Sequence, residues 1–353
     1  MSSPSLAAGD LERLLALCEH DAGAKPASAT VRRNLRHYKS QQIYVSADGS
    51  GTVSHVAKLE WSRWDPAREY GGLRFVEAAV SGDPGLGALH PVACSATPPL
   101  LLTRFQEGAE ARACFDRAVW WPSSRRGLAE ARHCVTGMAH WLAVLRRAGK
   151  RPAAGLSTER LQREIRERCG EIEAFLGAGG VAKHACTVVA LLLESASEQD
   201  LHRLSDAFPT HGDLAPQNFL ITPGGRLVGL DLEGFRFSPG NPDLYALRTR
   251  FEHYALWSPW TRSHATLLWR AFLEAYSAEI GREESSAFFL LSYLHKILAQ
   301  LAWQRHPDHL AREPHMGRLH RIRVKLWIRS RLQWLGDLCG DPRRDFQRFS
   351  QQL

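Results

Sequence analysis

Apolar residues recur at Leu11, Leu14, Leu15 and Cys18, the three-and-four spacing of one helical face. That pattern predicts a leading helix over residues 6–20, with Asp10 placed to cap or charge its first turn. The run AGAKPASAT that follows, rich in Ala, Pro, Ser and Gly, reads as a linker. From residue 34 to 61 the period shortens toward two. LRHYKSQQIYVSA, an Asp48-Gly49-Ser50-Gly51 turn and TVSHVAKLEW describe strands joined by a tight turn. Residues 66–80 then open with proline and return to helical spacing, with Glu69, Leu73, Val76 and Val80 on one stripe. Residues 99–105, PLLLTRF, read as a buried strand running into EGAEA. From Leu128 the pattern is mainly helical, with segments expected at 128–149, 157–176, 182–204, 243–256, 262–280, 284–304 and 315–338.

Residues 208–237, FPTHGDLAPQNFLITPGGRLVGLDLEGFRF, interrupt the helical half. Residues 219–221 read as a strand, PGGR as a tight turn and residues 227–230 as the returning strand. Such a hairpin brings Asn218 and Asp231 to the same end of its ladder. The element order implies an α+β chain: a small antiparallel-sheet lobe, a crossover strand, and a larger, mainly helical lobe. The expected boundaries are residues 1–29 for the helix and linker, 30–107 for the strand-rich lobe and 108–353 for the helical lobe with the hairpin.

Composition narrows this only a little. The 353 residues fit about two domains, and 44% hydrophobic with 23% charged residues is ordinary for a globular protein. A net charge of +8 favours an anionic partner, a condition that ATP, a phosphorylated substrate, a membrane face or nucleic acid would each meet. Seven cysteines without a C-x-x-C spacing argue for reduced thiols and a cytosolic setting. MSSPSLAAGD lacks a basic region followed by an apolar core, and no apolar run approaches the ~20 residues of a membrane span. The chain is therefore expected to be neither exported nor transmembrane.

The acids and amides of the hairpin carry the chemistry. Asp213 and Asn218 lie on HGDLAPQN, and Asp231 and Glu233 on LDLEGF; such oxygens suit a hard divalent cation such as Mg²⁺. Glu69 shares an apolar stripe and needs a partner, and Lys58 in VAKLE is the nearest. The alternative makes Lys58 an edge-strand lysine and Glu69 a surface acid at a helix N-terminus. A phosphoryl transferase needs a lysine on phosphates, a carboxylate to fix it, Mg²⁺ ligands and a residue to orient the attacking hydroxyl. Lys58, Glu69, Asn218 with Asp231, and Asp213 fill these roles in turn. Because the transition state is loose, Asp213 mainly positions the nucleophile.

HGDLAPQN followed by LDLEGF resembles the catalytic hairpin of the aminoglycoside phosphotransferase-like branch of the protein-kinase-like fold. Gly212, and Ala215 where protein kinases carry lysine, are similar to small-molecule kinases. The resemblance implies a bilobal fold, ATP and Mg²⁺ as cofactors, and Glu233 as a further metal ligand. It also implies that Asp243 of GNPDLYAL braces the catalytic loop and that His211 packs beneath that loop, rather than acting as a base. A phosphate-covering loop is expected near Lys39-Ser40-Gln41-Gln42, which makes Ser40, Gln41 and Gln42 nucleotide-contacting candidates. That stretch contains no glycine, so the alternative is a catalytically impaired pseudokinase serving as a nucleotide-binding or scaffold module.

The remaining motifs carry less. Gly49 and Gly51 read as a hairpin tip rather than a phosphate site. His306, His309, His315 and His320 lack the pairing of a zinc site and read as a solvated basic segment. Of the tryptophans Trp120, Trp121, Trp257 and Trp260, the last two, in WSPW, are candidates to line an acceptor pocket and the others read as core. Residues 318–332 interleave basic and apolar residues, either as the solvated face of a packed helix or as a peripheral contact with an anionic membrane. No nucleic-acid-binding module is visible. Acceptor-binding residues are expected after Tyr245, where Glu252 would suit a cation; the scarcity of acids there favours a neutral or anionic acceptor. The sequence thus reads as a cytoplasmic phosphotransferase acting on a small-molecule hydroxyl, with a sugar, an aminoglycoside-like amine or a lipid-linked saccharide as acceptor.

Overall fold

The computed structural model describes residues 8–22, 28–33, 40–46, 52–60, 64–120, 125–152, 206–239, 241–255 and 259–281, with isolated helical positions at 163, 166, 167, 297, 326 and 330. Apart from those positions, the helices expected over 157–176, 182–204, 284–304 and 315–338 lie outside the described residues, as does the turn at 48–51. In chain order the first elements are α1 (Ala8–Ala22), β1 (Ser28–Arg33), β2 (Ser40–Ser46), β3 (Val53–Glu60), α2 (Pro66–Val80), β4 (Leu86–Ala88), β5 (Pro91–Ala96), β6 (Pro99–Arg104) and β7 (Ala109–Glu110). There follow α3 (Ala111–Trp120), α4 (Arg125–Arg147), β8 (Arg151–Pro152), β9 (Asp206–Thr210), β10 (Phe219–Ile221), β11 (Leu227–Gly229), β12 (Arg236–Pro239), α5 (Pro242–Ala255) and α6 (Pro259–Ile280). The chain divides into two compact units, Met1–Glu110 with Gln217–Phe235, and Ala111–Pro216 with Arg236–Leu353.

The first unit is built on an antiparallel sheet of order β1-β2-β3-β6-β5. Alternate residues Ile43 and Val45, Ala57 and Leu59, and Leu100 and Leu102 point to one face, where Leu14 and Cys18 of α1 complete the core. Burying each of the larger aliphatic side chains contributes roughly 1.5–3 kcal/mol. A polar clamp holds α1 to the sheet: Arg104 donates to Asp21 through Nε at 2.8 Å and Nη2 at 3.0 Å, and His55 meets the same carboxylate at 3.0 Å.

The second helix of this unit, α2, begins where Asp65 accepts the N–H groups of Ala67 and Arg68 and Pro66 supplies the fixed φ of a first turn. Its buried stripe is the expected one, with Gly72 added: Glu69, Gly72, Leu73, Val76 and Val80.

The hairpin β10–β11 forms as its pattern predicts, with Phe219 opposite Gly229 and the Leu230 N–H donating to the Asn218 carbonyl at 2.9 Å. It belongs to the first unit, not with the helices as boundary 108–353 implied. The reason is pairing and packing: β4 runs parallel to β11, β7 pairs β10, and Phe235 packs on Phe75 of α2 at 5.5 Å between ring centroids.

The second unit packs α4 against α6, with α3 and α5 alongside. Its core is a run of rings, Phe115 to Phe251 at 5.8 Å, Phe251 to Trp269 at 5.8 Å, and Trp269 stacked on Phe272 at 5.7 Å. A small sheet, β12-β9-β8, carries the strand that leads to His211. Two expectations change. Part of the linker, from Ser28, is the edge strand β1, and helix begins at Ala111 rather than near 128. Among the described residues no helix is long and apolar enough to cross a membrane.

Candidate active site

Lys58 stands on β3, the middle strand of the five, opposite Gln42 on one side and Leu101 on the other. Its neighbours Ala57 and Leu59 point to the α1 face, so the pleat sends Lys58 to the other. There its ammonium lies 3.0 Å from Glu69 Oε2, 2.9 Å from Asp231 Oδ1 and 3.7 Å from Glu233 Oε2. The edge-strand and surface-acid alternative is thereby overturned: β3 is internal and Glu69 is buried, 3% exposed. Trp64, which sequence reasoning missed, donates from Nε1 to the same Glu69 oxygen at 2.7 Å and lays its ring 5.0 Å from the ammonium.

Burial alone would lower the Lys58 pKa, but the Glu69 and Asp231 carboxylates outweigh it and hold the ammonium's pKa above its ordinary value. Burial pushes Glu69 up, Lys58 pulls it back, and the nearby Asp231 charge adds to the rise. Glu69 therefore depends on keeping its cation. Asp231 and Glu233, by contrast, are each 47% exposed. Asp231 adopts φ 53° and ψ 61°, a left-handed conformation that costs a non-glycine residue of order 1–2 kcal/mol and aims this carboxylate at Lys58.

Asn218, Asp231 and Glu233 offer hard oxygens of the kind Mg²⁺ takes. Among the described residues no group of three His, Cys, Asp or Glu forms a metal cage. That donor set fits an ion held by one or two carboxylates with its remaining positions on water and phosphate. Ser40, Gln41 and Gln42 lie in β2 rather than in a loop, all three paired with β3 and Gln41 and Gln42 with β1 as well. The Gln42 side chain accepts a hydrogen bond from Tyr44 at 3.1 Å. The connection between β1 and β2, residues 34–39, lies outside the described residues.

In the second unit β9 delivers His211, Gly212 and Asp213. Asp243, fully buried at the start of α5, accepts the N–H of His211 at 2.6 Å and of Gly212 at 2.8 Å. Gly212 has φ 90°, a conformation that only glycine adopts without strain. His211 is buried against the Trp141 ring at 5.7 Å, and its Nδ1 accepts the Asp213 N–H at 3.4 Å, so it supports the turn from below. Asn241 fixes α5 in turn, accepting the Leu244 N–H and donating to the Tyr276 hydroxyl at 2.8 Å. Asp213 itself is half-exposed, with Arg250 Nη2 at 3.5 Å from Oδ1.

The expected acceptor residues fare unevenly. Glu252 is buried and paired with Arg248 at 3.3 Å, so it does not offer a carboxylate to a cationic acceptor. Trp260 is largely exposed at the start of α6. Trp121, Trp257, the four histidines from 306 to 320 and, but for two positions, residues 318–332 lie outside the described residues. Trp120 falls in α3.

Neither a family model nor a curated protein matches the sequence. Solved structures do match. A glucosamine kinase in complex with glucosamine, ADP and inorganic phosphate superposes with a TM-score of 0.56 at 16% identity, covering 96% of this chain and 84% of that one. An aminoglycoside phosphotransferase from Alicyclobacillus acidocaldarius gives 0.55 at 15% identity, over 96% and 98% of the two chains. The chain has the aminoglycoside phosphotransferase-like kinase fold. A third such structure, a thermostable mutant aminoglycoside phosphotransferase in ternary complex with AMP-PNP and hygromycin B, gives 0.52 at 13% identity over 90% and 98%. At such identities the shared feature is the backbone. The chemistry of this kinase-like chain has to be read from its own side chains.

Proposed function

We propose that this protein is an ATP- and Mg²⁺-dependent phosphotransferase acting on a hydroxyl group of a small molecule. The observation that carries the reading is the Lys58 cluster: a buried Glu69 that holds the ammonium, and half-exposed Asp231 and Glu233 that share it. Structural neighbours solved with ADP and phosphate, or with AMP-PNP, support a nucleotide in this fold.

In this reading Glu69 and Trp64 keep Lys58 extended while its ammonium exchanges Asp231 for nucleotide phosphate oxygens. Asp231, Asn218 and Glu233 would hold Mg²⁺, whose charge when bound would offset that on the phosphoryl group being transferred. Asp213 accepts a hydrogen bond from the acceptor hydroxyl and orients its oxygen for in-line attack. The oxygen–phosphorus bond forms as the bond to ADP breaks, and the hydroxyl proton passes to Asp213 and on to solvent. Asp243 and His211 hold the turn that carries Asp213, so the aspartate is pre-positioned at little entropic cost.

The pseudokinase alternative rested on a glycine-free stretch at 39–42. Ser40 to Gln42 are strand, and the connection between β1 and β2, residues 34–39, contains no glycine either, so that alternative keeps its motive and nucleotide binding and turnover decide between the two. The experiment is a thermal-shift titration with ATP and Mg²⁺. At a hundred times Kd the ligand should add about 2.7 kcal/mol of stability. No stabilisation by ATP with Mg²⁺ would overturn the proposal.

A further inference from the structure

We infer that the acceptor is an anion, carrying a carboxylate or phosphate near the hydroxyl that is phosphorylated, and that Arg250 binds that group. The inference rests on the kinase reading above and adds the substrate class.

Arg250 lies on α5, one turn before its end, and its guanidinium sits beside the carboxylate that would orient the hydroxyl. The contact is a single point at 3.5 Å, with both side chains about half exposed, 43% and 53%. Among the described residues it is the only ion pair Arg250 makes. A guanidinium is a planar fork of donors shaped for two oxygens at once, and one long contact uses little of it. An acceptor carboxylate or phosphate would complete the fork while leaving its hydroxyl beside Asp213.

The charges around Asp213 point the same way. The only acids of α5 are Asp243 and Glu252; the first is committed to the His211 and Gly212 amides and the second to Arg248. Elsewhere in this unit Glu279 is bound by His140 and Arg147, and Asp206 by Lys150. A polyamine acceptor needs unclaimed carboxylates beside Asp213, and both acids of α5 are claimed. An anionic acceptor approaching Asp213 meets like charge, and Arg250 is the cation beside that carboxylate that offsets it.

The test uses the full chain with Mg·ATP and follows ADP release with D-gluconate, D-glucuronate and D-glucose 6-phosphate against D-glucose and D-glucosamine. At least one of the three anions should be consumed with kcat/KM well above both non-anionic sugars. Arg250→Gln should lower that value about 10- to 100-fold, chiefly through KM, and Arg250→Lys should recover part of it. The inference is overturned if glucose or glucosamine is preferred, if no anion is consumed, or if Arg250→Gln leaves the anion's KM unchanged. A Mg·ATP thermal shift on the same preparations separates the cases. With the shift present, those outcomes remove the anionic acceptor alone; with it absent, the kinase reading falls too.

Discussion

Lys58 Nζ and Asp231 Oδ1 lie 2.9 Å apart although 173 residues separate them in the chain. The strand that bears one and the hairpin that bears the other are joined through α2, whose Glu69 holds the lysine and whose Gly72 receives Phe235, four residues past Asp231. Lys58 therefore has one buried partner, Glu69, and two half-exposed ones, Asp231 and Glu233, and the two kinds should differ in what they do.

Glu69→Gln should cost about 3 kcal/mol, since it breaks a largely buried pair, and should also weaken Mg·ATP binding. Asp231→Ala should cost at most about 1 kcal/mol, as for an exposed pair, yet remove the stabilisation by Mg·ATP. Urea denaturation with and without Mg·ATP reads both. Because Lys58's pKa is raised in the fold, its contribution is complete below the unfolded value of about 10.4 and is lost only as pH rises beyond it.

Gly72→Ala should destabilise by roughly 1–3 kcal/mol. A Cβ there would stand 2.7 Å from Phe235 Cβ, too close to the chain for the ring to rotate away. Phe235→Gly, which removes that Cβ, should leave Gly72→Ala with little further penalty, a coupling that a double-mutant cycle in urea would measure.

The hairpin and α2 were legible because each pairs a strong local pattern with residues of one role. HGDLAPQN and LDLEGF surround a turn signal, and Pro66 fixes the helix start. The unit to which the hairpin belongs was not legible, since β4 and β7 are only three and two residues long and carry no period. The partner of Glu69 could be guessed from the need to neutralise a buried acid. Trp64 and Arg250 could not, because nothing in spacing alone says which aromatic or cation folds onto a given carboxylate. The strand at Ser28 was masked by turn-forming residues, which an edge strand tolerates.

Asp243→Asn should cost about 2–3 kcal/mol, because its amide group can accept only one of the two N–H groups now bound at 2.6 and 2.8 Å. Phosphotransfer should fall with the loosened Asp213 turn while the Mg·ATP thermal shift persists. Parallel measurement of kcat and nucleotide affinity tests this.

The clamp on α1 should show in acid. The Arg104 hydrogen bond, and then His55, outweigh burial and hold Asp21's pKa below the usual carboxylate range. Its contribution is therefore present above about pH 4 and lost as pH falls through the lowered value. Asp21→Asn should flatten that part of the stability curve, measured by urea midpoints from neutral pH downward.

The most direct measurement incubates γ-labelled ATP and Mg²⁺ with a mixture of hydroxyl compounds and the wild-type chain or Asp213→Ala, and then separates the small molecules. The account predicts label on a phosphorylated acceptor with the wild type, and about one-hundredth of that amount or less with Asp213→Ala, while both bind Mg·ATP. Label confined to ATP and inorganic phosphate, or transfer undiminished by loss of Asp213, would contradict it.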